Sequence, residues 1–295
     1  MIVISGSHGL IGSALVKALE ARGHDVHRLV RGAPRSPSEI AWNPEAGTID
    51  AAAIDGATVV INLAGENIAQ RWTRDARRRI HDSRMRGTSL VAQTITALPN
   101  KPRVLVNASA IGIYGDRGEE ELDERSAAGD GFLASVCRDW ERATAPASDA
   151  GIRVAVLRTG VVLAHDGGAL PKLLVPFRLG VGGRIGNGRQ WMSWIALGDV
   201  VRAVLHIVDD AALAGPIDLV SPNPVRNADL ARTLGRVLHR PALIPVPAWA
   251  IRLALGKMGV ESLLASQRVR PARLLERGFT FEQPTLESAL RGALA

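Results

Sequence analysis

The chain holds a single tyrosine, Tyr114, and the residue four positions on is Gly118. A Tyr-x-x-x-Lys pair on one helix face, in which the lysine lowers the phenol pKa until it can pass a proton at neutral pH, is therefore excluded. Cysteine is as scarce. Cys137 stands alone, which rules out an internal disulfide and fits a reducing compartment. No Cys/His cluster has metal-ligand spacing, so no metal site is expected. No apolar run approaches the roughly 20 residues that span a bilayer. The apolar start is short and has no basic leader, so the chain is read as cytoplasmic, without a secretory signal. Lysine is confined to Lys17, Lys101, Lys172 and Lys257, so arginine carries almost all of the net charge of +7. That charge reads as spread, densest from Arg71 to Arg86. Arg77, Arg78 and Arg79 are consecutive, and helical neighbours point about 100° apart, so they build no flat patch. A solvated helix is the reading, and neither nucleic acid nor a membrane is expected as a partner.

What is present begins at the N-terminus. Met1 to Ser5 is apolar and β-branched, the pattern of a buried parallel strand. Gly6-Ser7-His8-Gly9-Leu10-Ile11-Gly12 follows at once, then a helical stretch from Ser13 to Arg22, then a second strand from Asp25 to Arg31. Strand, glycine turn, helix and strand in about 30 residues is the setting a dinucleotide fingerprint requires. Gly6 permits the tight turn, Gly9 lets the backbone approach a pyrophosphate, and Gly12 lets helix and strand pack closely. The N–H groups at the helix start then face the phosphates, where the helix dipole favours negative charge.

The end of the second strand selects the cofactor. Arg31 lies 19 residues past Gly12, and no Asp or Glu occurs between Val26 and Ser38. An acid there would bind the ribose hydroxyls of NAD; a guanidinium suits the 2′-phosphate of NADP. NADP(H) is therefore expected over NAD(H), with Arg35 as a second phosphate contact. The competing reading of Arg31 is a solvated strand-end charge.

The alternation continues. Strands are expected at Thr58 to Leu63, Arg103 to Ala108 and Ile152 to Arg158, with helices over Thr73 to Ala97 and Asp130 to Ser148. Strands separated by helices imply an α/β fold with a doubly wound parallel sheet, in which ligands sit at the carboxyl ends of strands. That places Asn62-Leu63-Ala64-Gly65, Ser109 and Thr159-Gly160 around the crevice of the glycine loop. From about Ala164 the pattern turns Gly- and Pro-rich. Residues 1–164, with a returning segment near 197–221, are read as a Rossmann domain, and residues 165–295 as a smaller α/β substrate or lid domain.

Ordered motifs run through nearly the whole chain: the glycine loop from Ser5, Asn62-Leu63-Ala64-Gly65-Glu66-Asn67-Ile68, Asp82-Ser83-Arg84, Cys137-Arg138-Asp139-Trp140-Glu141, Leu157-Arg158-Thr159-Gly160-Val161-Val162-Leu163, and Gly186-Asn187-Gly188-Arg189-Gln190-Trp191 with Ser193-Trp194-Ile195. With these the chain resembles the epimerase-like atypical short-chain dehydrogenase/reductase subfamily, related to NAD-dependent epimerases/dehydratases of nucleotide sugars. The resemblance implies an extended Rossmann domain, a small C-terminal substrate domain and bound NADPH. By position it implies cofactor contacts from Gly6, Ser7, His8, Gly9, Leu10, Ile11, Gly12, Arg31, Asn62, Leu63, Ala64, Gly65, Ser83, Thr159, Gly160 and Val161. Extended relatives place a catalytic Ser, Tyr and Lys near the positions of Ala110, Leu133 and Cys137, and all three are departures here.

The remaining candidates are Ser109 and Tyr114 as catalytic groups just past a strand end, and Arg189 and Trp191 as substrate contacts, the arginine as a grip for a phosphate or carboxylate. Tyr114 reads equally well as a packed aromatic, Trp191 as a side chain buried between domains. His165 is an acid/base candidate. Two functions stand. One is an NADP-dependent oxidoreductase or epimerase acting on a polar small molecule, a sugar nucleotide among the options. The other is a non-catalytic NADPH-binding sensor, for which the missing Tyr/Lys pair speaks.

Overall fold

The computed structural model describes residues 1–294. Eight strands form the central sheet: β1 (Ile2–Ser5), β2 (Val26–Val30), β3 (Glu39–Asn43), β4 (Thr48–Ile49), β5 (Val59–Asn62), β6 (Val104–Ala110), β7 (Arg153–Thr159) and β8 (Gly215–Leu219). Their spatial order is β8-β7-β6-β5-β1-β2-β3-β4. Every pairing is parallel except that of β3 with β4. The chain winds outward from β1 in both directions, so β1 and β5 flank the point where strand order reverses, and a crevice opens at their carboxyl ends. β1 and β5 are buried along their whole length, as strands covered on both faces must be. The strand β3 and the edge strand β4 were not anticipated from the sequence.

The main helices are α1 (Leu10–Ala21), α2 (Arg74–Ala97), α3 (Phe132–Arg142), α4 (Leu170–Arg178), α5 (Leu197–Asp209), α6 (Asn227–Leu238), α7 (Ala248–Gly259) and α8 (Leu286–Leu294). α1 and α5 cover one sheet face, with Leu15, Leu19, Val200 and Val204 in the core. α2 covers the other, burying Ala76, Ile80, Val91 and Ile95 at helical spacing. Thr73 starts α2 by accepting the Ala76 N–H at 3.1 Å, as an N-cap residue does. The stretch expected as one helix from Asp130 to Ser148 is two, α3 and a short helix at Ala145–Asp149. Asn227, the first residue of α6, accepts the Ile185 N–H at 2.7 Å through its side chain.

Residues after β7 build a third cluster around Leu163, Leu174, Phe177, Trp194, Leu234 and Leu290. It rests on the parallel pairing of Val161–Leu163 with Trp194–Ala196. The chain then returns to the sheet through α5 and β8. Among the described residues no helix is long and apolar enough to cross a membrane.

One side chain fastens this return. Arg153 on β7 donates to the carbonyls of Ile207, Val208, Asp210 and Leu213, at 2.7–3.2 Å. A cation there satisfies the open carbonyls at the end of α5. Arg153→Met should lower the unfolding free energy by about 2–3 kcal/mol, measured by chemical denaturation. A loss below about 0.5 kcal/mol would mean that water replaces the guanidinium at little cost.

Candidate functional site

The glycine loop fills the gap between β1 and α1. Gly6 has φ +69°, and a Cβ there would lie 2.8 Å from the Leu63 carbonyl carbon and 2.9 Å from the Ala64 nitrogen. Only glycine fits. Its carbonyl accepts the Gly9 N–H at 2.9 Å. A Cβ on Gly12 would fall 2.2 Å from the same oxygen, so the helix sits directly on the turn. Gly9 is the N-cap of α1 and supplies no side-chain cap, which leaves the first N–H groups of Leu10 and Ile11 open to a ligand. Ser7 is buried and His8 exposed.

Beneath the loop lies a polar strut. Ser5 Oγ donates to Asn62 Oδ1 at 2.6 Å and accepts the N–H groups of Leu63 and Ala64. Asn62 Nδ2 donates to Thr88 Oγ1 and Asn107 Oδ1 at 2.9 and 2.7 Å. The buried Asn62 amide is thus hydrogen-bonded within the protein and shapes the loop of Leu63, Ala64 and Gly65. Ser83 is tied in the same way. Its Oγ accepts the Glu66 N–H at 3.0 Å and donates to the Ile80 carbonyl, bracing the far end of that loop.

The neighbour of Ser83 is the residue that sequence reasoning missed. Arg84 donates through Nη1 to the carbonyls of Glu66 and Ile80, both at 3.0 Å. Its guanidinium stacks on Trp140 at 4.8 Å. A Cβ on Gly65 would lie 3.2 Å from the guanidinium carbon, so the glycine makes room for the cation. Arg84 Nε and Nη2 have no partner in the protein and stand free beside Gly65. The motif Asp82-Ser83-Arg84 carried the signal, but no local spacing ties position 84 to position 65.

On the far side, Gly160 follows β7. A Cβ there would meet the Ser193 carbonyl oxygen at 2.7 Å and Val220 Cγ1 at 2.8 Å. Thr159, Gly160 and Val161 thus line the carboxyl end of β7, Thr159 Oγ1 turned back to the Leu157 carbonyl at 3.3 Å. Arg31 follows β2, is exposed, and has no carboxylate in ion-pair range. Gly167 and Gly168 pack against Leu10, where a Cβ on either would be 3.0–3.1 Å from its methyl carbons. The loop between Leu163 and α4 thereby reaches the start of α1, and His165 is exposed there beside Asp166.

Ser109 and Tyr114 are both corrections. In register across β6, β7 and β8, Ser109 pairs with Arg158 and Arg158 with Asp218. Ser109 Oγ donates to Glu141 Oε1 at 2.8 Å. Arg158 donates to both oxygens of Glu141 at 2.9 Å and to the Tyr114 hydroxyl at 3.0 Å. The Tyr114 hydroxyl in turn donates to the Asp218 carboxylate at 2.9 Å. Tyr114 has no exposure to solvent; burial and the Asp218 charge push its phenol well above the usual value. It cannot titrate near neutrality, and the Ser109 hydroxyl is committed. The same burial, with Glu141 nearby, pushes the Cys137 thiol up to about 11. Leu133 gives its N–H to Glu261 Oε2 at 2.9 Å. No proton relay stands at Ala110, Leu133 or Cys137.

A cavity of about 390 Å³ opens between the residues after Tyr114 and the C-terminal part, lined by Asp116, Glu119, Asn187, Arg189, Gln190 and Arg252 among others. Arg189 is exposed there and unpaired. Trp191 is the last correction. It stands beside the cavity, between the guanidinium groups of Arg226 and Arg268 at 4.4 and 4.9 Å. Its Nε1 donates to Glu119 at 3.0 Å. Arg226 and Trp191 hold the Glu119 carboxyl down at about 2.

With this geometry in hand, the chain was compared with known proteins. A model of the NAD dependent epimerase/dehydratase family matches residues 2–218, and one of a domain of unknown function matches residues 246–293. The chain belongs to the NAD-dependent epimerase/dehydratase family. An epimerase family protein of Mycobacterium leprae is 44% identical over 291 residues, 98% of this chain and 94% of the relative. Human epimerase family protein SDR39U1 is 36% identical over 298 residues, 100% of this chain and 99% of the relative. The crystal structure of that human protein with NADPH matches with TM-score 0.91 and 34% identity, covering 99% of this chain and 98% of that one. A nucleoside-diphosphate sugar epimerase from Corynebacterium glutamicum matches with TM-score 0.83 and 39% identity; 99% of this chain covers 57% of that one.

The buried acids make a prediction. Burial, with Glu124 close by, pushes the Asp218 carboxyl well above its ordinary value, and burial raises Glu124. Unfolded, both titrate near pH 4; folded, they keep their protons to higher pH. The stability they add is complete below about pH 4 and is lost as pH rises through the folded values. Between about pH 5 and 8 the wild type should therefore lose more unfolding free energy than Asp218→Asn, measured by denaturation at each pH. Parallel pH profiles for the two proteins would remove the acid pair from this role.

Proposed function

We propose that this chain binds NADP(H) and acts as an oxidoreductase or epimerase on an anionic polar small molecule, a sugar nucleotide being one such. The observation that carries the reading is the combination of an uncapped α1 N-terminus beside two sterically required glycines, Gly6 and Gly12, with an Arg31 at the end of β2 that has no ion-pair partner among the described residues. The residues present fit the cofactor. The glycine loop and the α1 N–H groups would hold the diphosphate, Arg31 the 2′-phosphate, and Leu63 to Gly65 with Thr159 to Val161 the walls of the crevice. Arg84 would offer its two free nitrogens to the ligand. The human relative's structure with NADPH supports the assignment. The cofactor, when bound, supplies hydride transfer. Arg189 and Arg252 would orient an anionic substrate in the adjoining cavity, so residues 165–295 act as the substrate part and residues 1–164 as the cofactor part.

No side chain of the usual relay is placed to move a proton, so the reacting proton would come from water or from the substrate. The same observation favours a second reading, an NADPH-holding sensor without turnover.

Titration of NADPH and NADH against wild type and Arg31→Ala tests the cofactor reading. The variant should lose about 10–100-fold in NADPH affinity and little for NADH, the value of a charged phosphate contact. Equal losses for both would take Arg31 out of phosphate selection. NADPH oxidation at 340 nm against anionic carbonyl compounds tests the reaction: turnover whose KM rises at least tenfold in Arg189→Ala is expected for the enzyme. A tight NADPH complex with no turnover is the sensor's result.

A further inference from the structure

The net charge has a location. Residues 167–190 and 239–260 contain no Asp or Glu and seven Lys and Arg. The other 29 Lys and Arg are balanced by the 29 Asp and Glu of the whole chain, so these two segments account for the entire excess of +7. Lys172, Arg178, Arg184, Arg240, Arg252 and Lys257 are all exposed there, and none takes part in an ion pair. The excess that composition reports for the whole chain falls in these two segments.

The two segments lie side by side. Ile244 N–H donates to the Gly182 carbonyl at 3.2 Å, Val246 N–H to the Arg184 carbonyl at 2.8 Å, and Gly186 N–H to the Val246 carbonyl at 2.8 Å. A Cβ on Gly183 would sit 2.1 Å from the Ile244 oxygen. The same strip exposes large apolar side chains: Leu243 at 83%, Leu253 at 74%, Leu179 at 72% and Trp249 at 67%. Trp249 and Leu253 are four apart on α7 and share a face. A soluble surface does not ordinarily gather such residues without a partner.

We propose that this strip is a docking surface for an anionic lipid bilayer, which the chain would touch from one side without crossing. Charge complementarity selects the occupant. Acid-free cations around a tryptophan and exposed leucines match an interfacial element, whose aliphatic side chains enter the acyl boundary while Lys and Arg meet anionic headgroups. A second copy is disfavoured because two such faces would set cations against cations with no acid in either segment to offset them. Nucleic acid would use the charge but leave leucines with no base to stack on.

The test is co-sedimentation of the full chain with vesicles of phosphatidylcholine alone, or containing about 30% phosphatidylglycerol. Binding is expected only to the anionic vesicles, at least tenfold weaker in Leu253→Asp and in Lys257→Glu, and weakened by about 0.5 M salt. Circular dichroism of each variant separates lost folding from lost binding. Several results would overturn the proposal: no binding to anionic vesicles, binding that Leu253→Asp leaves unchanged, or tighter retention of duplex DNA than of vesicles. A concentration-dependent dimer that Leu253→Asp abolishes would overturn it in favour of a second copy.

Discussion

The molecule depends on a backbone contact that tolerates no side chain. The turn at Gly6 presses on the backbone of Leu63 and Ala64, and Gly12 presses on the carbonyl of Gly6. These contacts join β1, α1 and the loop after β5 in one place, the place where strand order reverses. Any methyl group at either glycine drives strand and helix apart and closes the space a diphosphate would need. The polar strut of Ser5, Asn62, Thr88 and Asn107 holds the same loop from below. Its members are buried and mutually satisfied, so the loop is set before any ligand arrives.

A second buried network occupies the ground where a proton relay would otherwise stand. Glu141, Arg158, Tyr114 and Asp218 join α3, β7, β8 and the short helical turn after β6, and the chain's one tyrosine spends its hydroxyl inside it. Breaking a buried ion pair such as Arg158–Glu141 leaves an uncompensated charge and costs about 3–5 kcal/mol. The network is thus a structural commitment with a chemical consequence. Reaction in the crevice would have to draw on the cofactor, on Arg84 and on the substrate's own groups.

The glycine spacing, the α/β alternation and the strand ends of β1, β2, β5, β6 and β7 were legible because each is a local pattern. Strand β3 carried a local signal as well, the buried Ile40 and Trp42 alternating with more accessible residues, but it is short and lies in a segment read only for charge. Side-chain roles were not legible. Asn62 and Ser83 stand at crevice positions in sequence yet turn inward, since each is claimed by a partner 17 or more residues away. The partner of Tyr114 lies 104 residues on. No periodicity reports such a meeting, which is why one residue type could be read both as a catalyst and as core.

Charge distribution follows the same logic. Composition reports +7 and linear density points to Arg71–Arg86, yet several arginines of that stretch stand beside acids: Arg78 with Asp75, Arg79 with Glu66 and Arg86 with Asp82. The seven cations that match the net excess lie in two segments that contain no acid. Arg252 lines the cavity of about 390 Å³ from the helix that presents Trp249 and Leu253 to solvent. Two residues past the end of that helix, Glu261 caps α3 through the Leu133 N–H. The helix that carries Trp249 and Leu253 thus lines the cavity through Arg252, and the residues just past its end touch the helix carrying Leu133 and Cys137. Whatever covers the strip bears on the wall of the site.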